Sequence, residues 1–96
     1  MKYLNDENFE VMIGKGIWLV DFYADWCGPC KMMGPILEGL NGVNILKVNV
    51  DKREDLARKF SIMSIPTLIF FKDGKEVKKV IGFTSQDEIE KVLENI

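Results

Sequence analysis

The chain has 96 residues, enough for one ordinary domain and too short for two. With 47% hydrophobic and 29% charged residues it has the composition of a globular chain with its own core, which excludes a disordered one. Thirteen basic against fifteen acidic residues leave a net charge of −2 and no basic footprint for nucleic acid or an anionic membrane, and the absence of histidine excludes Ser-His-Asp and Cys-His catalysis and every His-ligated metal site within the chain.

Lys2 to Leu4 reads as a short edge strand. Asn5 is placed to cap a helix, with Asp6 and Glu7 at the positive end of its dipole. Phe9, Met12 and Ile13 then form an i, i+3, i+4 stripe, and Gly14 and Gly16 end the helix. Ile17 to Tyr23 is a strand that is apolar on both faces apart from Asp21, the pattern of a covered parallel sheet. The next helix runs from about Pro29 to Leu40, with Met32, Met33, Ile36, Leu37 and Leu40 on its buried side, a kink at Pro35 and stops at Gly39 and Gly42. Asn44 to Val50 is a strand, Arg53 to Phe60 a short charged helix that turns Leu56 and Phe60 inward, and Thr67 to Phe71 an apolar strand. Asp73-Gly74 suits a type I′ hairpin turn into Glu76 to Ile81. Ser85-Gln86-Asp87-Glu88 is a capping box. It opens a last helix with Ile89, Val92, Leu93 and Ile96 on one face.

The order is β-α-β-α-β-α-β-β-α. Helical connections imply parallel strands and the hairpin an antiparallel pair. The prediction is an α/β fold in a single domain over residues 1–96, one central mixed sheet with helices on both faces. The longest uncharged apolar stretch, Ser61 to Phe71, has eleven residues and is interrupted by Pro66, well short of the ~20 that span a bilayer. The N-terminus, Met1-Lys2-Tyr3-Leu4-Asn5-Asp6, turns polar before a signal-peptide apolar region forms. The expected location is the cytoplasm, with no membrane and no nucleic acid as partner. Two cysteines are too few for a secreted disulfide scaffold.

The chemistry concentrates in Trp26-Cys27-Gly28-Pro29-Cys30-Lys31. At a strand-to-helix junction this spacing puts both thiols in the first helical turn, on one face, with Cβ atoms ~5–6 Å apart. A small adjustment closes a disulfide. Pro29 suits the first turn because its missing N–H is not needed there. Cys27 then faces the unpaired N–H groups and the positive dipole end, which favour a thiolate and a lowered pKa. Asp25 opposes this modestly if its carboxylate lies close. Cys30, one turn further in, is more shielded. Cys27 is therefore the nucleophile that attacks a substrate disulfide, and Cys30 resolves the mixed disulfide. A metal reading needs a dimer, since a closed zinc or iron–sulfur site takes four ligands and one chain offers two thiols.

The run Val20-Asp21-Phe22-Tyr23-Ala24-Asp25-Trp26-Cys27-Gly28-Pro29-Cys30-Lys31 resembles the signature of the thioredoxin family. Ser64-Ile65-Pro66-Thr67 and Lys72-Asp73-Gly74 recur at the family's distances, and the likeness covers nearly the whole chain. It implies the thioredoxin fold, a central mixed five-stranded sheet flanked by four helices on both faces. Tyr23 stands where many members have Trp, and Gly34 where Ala is frequent. The first strand and the connection at 41–44 are short for the family.

An isolated carboxylate inside a strand is costly, and burial should raise the pKa of Asp21. The resemblance implies that Asp21 lies behind the cysteines and manages the proton of Cys30 through water, with Lys47 as its partner. On residues alone Lys47 serves equally as a strand-end lysine snorkelling to solvent. Trp26 packs over the active turn and offers a flat contact surface. By resemblance Ile65-Pro66 is a cis bond facing the cysteines, where the Ile65 backbone can pair with a substrate peptide, and Gly82 leaves a gap for substrate backbone. Trp26, Gly28, Pro29, Ile65, Pro66, Ile81 and Gly82 then form a small apolar docking patch. Met32, Met33 and Met63 read as core or rim packing.

The expected activity is reduction of protein disulfides by dithiol–disulfide exchange at Cys27/Cys30, a monomer's chemistry that needs no metal and no bound cofactor. Gly-Pro between the cysteines resembles the reducing branch of the superfamily, since the oxidising and isomerising branches carry a His there. By resemblance the electrons come from NADPH through a flavoprotein, thioredoxin reductase, or from a ferredoxin-linked donor. The partners are that reductase and disulfide-containing substrate proteins. Two readings from other classes remain at this point: a binding module that docks partners through the apolar patch in either redox state, and the dimeric metal carrier.

Overall fold

The computed structural model describes residues 1–96. Its elements are β1 (Lys2–Tyr3), α1 (Phe9–Met12), β2 (Ile17–Tyr23), α2 (Gly28–Glu38), β3 (Asn44–Asn49), α3 (Glu54–Lys59), β4 (Thr67–Lys72), β5 (Lys75–Ile81) and α4 (Gln86–Glu94). The sheet order is β1-β3-β2-β4-β5. β1 and β2 run parallel to β3, whereas β4 is antiparallel to both β2 and β5.

β2 lies at the centre and is covered on both faces, as its double-sided apolarity demands. Val20 and Phe22 pack with Phe9 of α1, Ile13 at its C-cap, and Leu56 of α3. Leu19 packs on the other face with Met33 and Leu37 of α2 and Ile89 of α4. Phe9, Phe60 and Phe71 join the first core edge to face or tilted, with centroids 5.4 to 5.6 Å apart. Pairs of this kind contribute about 0.5–1.5 kcal/mol beyond their buried area. Because side chains alternate along a strand, Asp21 and Lys47 share the face of Leu19 and Ile45, which is the face that α2 covers.

The hairpin turn and the Ser85 cap of α4 follow the sequence pattern, although Glu88 accepts from the Ser85 hydroxyl rather than from its backbone N–H. Asp73 and Gly74 both take positive φ, 50° and 86°, as a type I′ turn requires. Ser85 Oγ accepts the Glu88 N–H at 3.2 Å.

Three expectations need correction. The cap of α1 is Asn8, whose side chain accepts the Val11 N–H at 3.0 Å, and not Asn5. The Arg53 guanidinium donates to the carbonyls of Asn5 and Glu7 and holds that stretch in a turn, so the helix begins three residues later. Met32 is 61% exposed. Cys30, Met33 and Leu37 occupy the buried stripe of α2, and Met32 lies about 100° away from Met33 around the axis. The helical connection from β3 does not lead to a parallel strand. α3 rises only about 9 Å over its six residues against the roughly 20 Å of β3, so the chain re-enters the sheet from the end it left.

Gly34 sits inside α2, where an added Cβ meets nothing within 4 Å. Gly34→Ala should stabilise the protein by roughly 0.5–1 kcal/mol through helix propensity alone. Urea denaturation of the two proteins, with unchanged slope and a raised midpoint, checks this.

Candidate active site

The β2 strand ends at Tyr23, and the chain turns through Ala24, Asp25 and Trp26 into the first turn of α2. Cys27 is the N-cap, in extended conformation, and Pro29 lies in the first turn. Cys27 Sγ accepts the Cys30 N–H at 3.2 Å, the part that a Ser or Asp oxygen takes at other caps. Cys27 and Cys30 form a disulfide with Cα atoms 5.2 Å apart. The two residues are buried against Ala24, with Tyr23, Val50 and Ile65 alongside, Cys30 more deeply than Cys27. No acidic residue lies in the first turn of α2. When the pair is reduced, the helix end and the Cys30 N–H both favour negative charge on Cys27.

Ile65 faces this turn. Its carbonyl oxygen lies 3.8 Å from Cys27 Sγ, and the Ile65–Pro66 bond is cis. Pro66 O accepts the Gly82 N–H at 2.8 Å, and the backbone of Ile65 forms no backbone–backbone hydrogen bond. Gly82 has φ +92° and open space where a side chain would be, a conformation that favours glycine. Trp26 is 71% exposed, and its indole N–H donates to Asp51 at 2.9 Å. A groove runs between Trp26, Val50, Ile62, Met63, Ser64 and Ile65. The structure thus brings Trp26 and Ile65 together, ties Pro66 to Gly82, and leaves Gly28, Pro29 and Ile81 exposed. Met63 is 91% exposed at the groove's rim, the rim alternative of the two expected for it.

Asp21 and Lys47 are register partners, with Nζ 3.5 Å from Oδ2. Both are buried, and neither Asp21 oxygen accepts a hydrogen bond from the chain. Burial pushes the Asp21 carboxyl up to about 6, with the Lys47 charge pulling the other way. Sequence reasoning missed two contacts. Asp51 anchors Trp26 across 25 residues, and the rings of Tyr3 and Tyr23 flank the Lys47 ammonium. Neither has a local sequence signal, although the apolar face of two tyrosines beside a lone strand lysine is legible once the register is known.

Two sulfurs closed across one helical turn, at a helix end that favours the anion, can pass an electron pair to and from another disulfide. This is the chemistry of a thiol–disulfide oxidoreductase. The family model described as Thioredoxin matches residues 1–95. The chain is 51% identical to a thioredoxin of Staphylococcus saprophyticus over 96 residues, covering 95% of this chain and 92% of that one. It is 45% identical to a thioredoxin of Chlamydia trachomatis over 97 residues, covering 97% and 95%. Among solved structures it is similar to a mutant thioredoxin from Halobacterium salinarum, with TM-score 0.88, 34% identity and coverage of 97% and 87%. It is also similar to oxidised mitochondrial thioredoxin 3 of Saccharomyces cerevisiae, with TM-score 0.87, 33% identity and coverage of 100% and 95%. The chain belongs to the thioredoxin family and is a protein-disulfide oxidoreductase.

Proposed function

We propose that this protein works in the reducing direction, as a single-domain monomeric electron carrier of the cytoplasm. The observation that carries the reading is the Cys27 sulfur at the N-cap of α2, held on the Cys30 N–H. In the reduced protein the Cys27 thiolate attacks one sulfur of a substrate disulfide. The Cys27–substrate S–S bond forms, the substrate S–S bond breaks, and the leaving thiolate takes a proton from water. Asp21 then accepts the Cys30 proton through water, and the Cys30 thiolate attacks Cys27 Sγ. The Cys27–Cys30 bond forms as the second substrate sulfur leaves, so two electrons have passed to the substrate. A carboxyl at about 6 is mostly ionised at pH 7 and available as a base. Lys47 is its charge partner.

Trp26, Gly28, Pro29, Ile65, Pro66, Ile81 and Gly82 form the docking surface. The Ile65 backbone, engaged in no backbone–backbone hydrogen bond, supports short strand-like pairing with an extended substrate segment, and the space at Gly82 supports its close approach. No helix is long and apolar enough to cross a membrane. No third Cys, Asp or Glu joins the pair as a ligand set, so a closed metal site would have to draw thiolates from a second chain. Electrons return to the disulfide from NADPH through a flavoprotein thioredoxin reductase.

Dithiothreitol-driven reduction of insulin, followed by turbidity, tests the direction. Catalysis well above dithiothreitol alone is expected. No acceleration, with partner binding retained, would leave the binding-module reading in its place. NADPH consumption with added thioredoxin reductase tests the electron source.

A further inference from the structure

Lys47 meets Asp21 inside an aromatic slot. Its Nζ stands 4.4 Å from the ring centroid of Tyr23 and 5.6 Å from that of Tyr3, both within the ~6 Å reach of cation–π attraction. The two rings meet edge to face at 6.2 Å. The register explains the cluster. Tyr3 is the partner of Lys47 across β1 and β3, Asp21 is its partner across β2 and β3, and Tyr23 follows Asp21 by two residues. All four side chains therefore leave one face of three adjacent strands. A lysine ammonium on a flexible stem swings to water where it can, and the Lys47 side chain keeps 8% exposure.

We propose that Tyr3 and Tyr23 are positioning residues, forming an aromatic cage that holds the Lys47 ammonium against Asp21 and so sets how readily that carboxyl exchanges its proton. The proposal deepens the role given to Asp21 and rests on that role only for its effect on rate. Other charged or titratable groups near the cage are few. Asp25 lies beyond the end of β2 beside Tyr23, and Asn49 of β3 is its polar neighbour. Glu38 of α2 and Met1, with its amino terminus, share a groove with Tyr3. From α2 the buried side chains are Cys30, Met33 and Leu37, and from α4 Ile89. None of these pairs with Lys47, whose one ion pair is with Asp21.

The test is an NMR titration of the Asp21 carboxyl carbon in the oxidised protein, for the wild type, Tyr3→Leu, Tyr3→Phe and Lys47→Met, and for Tyr3→Leu combined with Lys47→Met. Tyr3 is half exposed on a two-residue edge strand, so both replacements leave the core intact. If the ring holds the ammonium in place, Tyr3→Leu frees Lys47 and raises the Asp21 midpoint by roughly half a pH unit. Tyr3→Phe keeps the ring and the wild-type midpoint, and the Tyr3→Leu effect disappears once Lys47 is methionine. A lower midpoint in Tyr3→Leu would mean that Tyr3 only keeps water away from Asp21. That result, an unchanged midpoint, or a rise that persists without Lys47 would overturn the proposal. The pH profile of insulin reduction is read separately. A midpoint that moves while the profile stays fixed would refute the role of Asp21 in turnover and leave the cage standing.

Discussion

Insulin reduction by Cys27→Ser is expected to fall to the dithiothreitol background, while Cys30→Ser is expected to attack substrate once and stop. Serine keeps the size of each side chain, so α2 and its cap survive both changes. A hydroxyl at position 27 has no sulfur with which to form the first bond, and no mixed disulfide accumulates. At position 30 the first step is untouched, but nothing displaces the substrate from Cys27. The Cys30→Ser protein should therefore carry one covalently attached substrate chain, visible as a mass increase that dithiothreitol removes. Equal capture by the two variants would contradict the division of roles.

Asp21→Asn should stabilise the protein while slowing it. The carboxyl rises from its ordinary 3.8 to about 6 in the fold, a difference of about two units at ~1.36 kcal/mol each, or about 3 kcal/mol once both states are ionised. The folded state holds this proton more tightly than the unfolded state. Between about pH 4 and pH 6 the folded protein keeps a proton that the unfolded chain has released, so wild-type stability falls as pH rises through that window. Above it the folded protein carries a buried charge that Lys47 only partly offsets. Asparagine resembles the protonated acid and lacks this cost. Denaturant unfolding should give a gain of about 3 kcal/mol at pH 7 that vanishes below about pH 4. An equal gain at both ends of the range would assign it to packing rather than ionisation. The same variant should reduce insulin more slowly, because Cys30 loses its proton acceptor.

The parts of this molecule that were legible in the sequence are those written in neighbouring residues. Ile17–Tyr23 announces a covered central strand, Asp73-Gly74 the hairpin between β4 and β5, and Ser85 with Glu88 the start of α4. The cysteine pair belongs to this group, since Pro29 and a three-residue spacing at a helix entrance determine its geometry locally. What was not legible depends on partners far along the chain. Arg53 moves the cap of α1 from Asn5 to Asn8 by binding carbonyls more than forty residues upstream. The direction of β4 follows from where α3 leaves the chain, which helix periodicity does not encode. The slot around Lys47 needs the registers of β1, β2 and β3 together, and Trp26 is oriented by Asp51 beyond β3. Whether Met63 lies in the core or at the rim was open, because composition does not tell a rim methionine from a core one.

The most direct measurement is alkylation of the fully reduced protein by iodoacetamide at pH 7, with each cysteine followed by peptide mass spectrometry. The N-cap position of one sulfur and the burial of the other predict that Cys27 is modified first, roughly tenfold or more ahead of Cys30, and that its lead narrows as the pH rises and both thiols ionise. Modification of the two sulfurs at the same slow rate across neutral pH would contradict it.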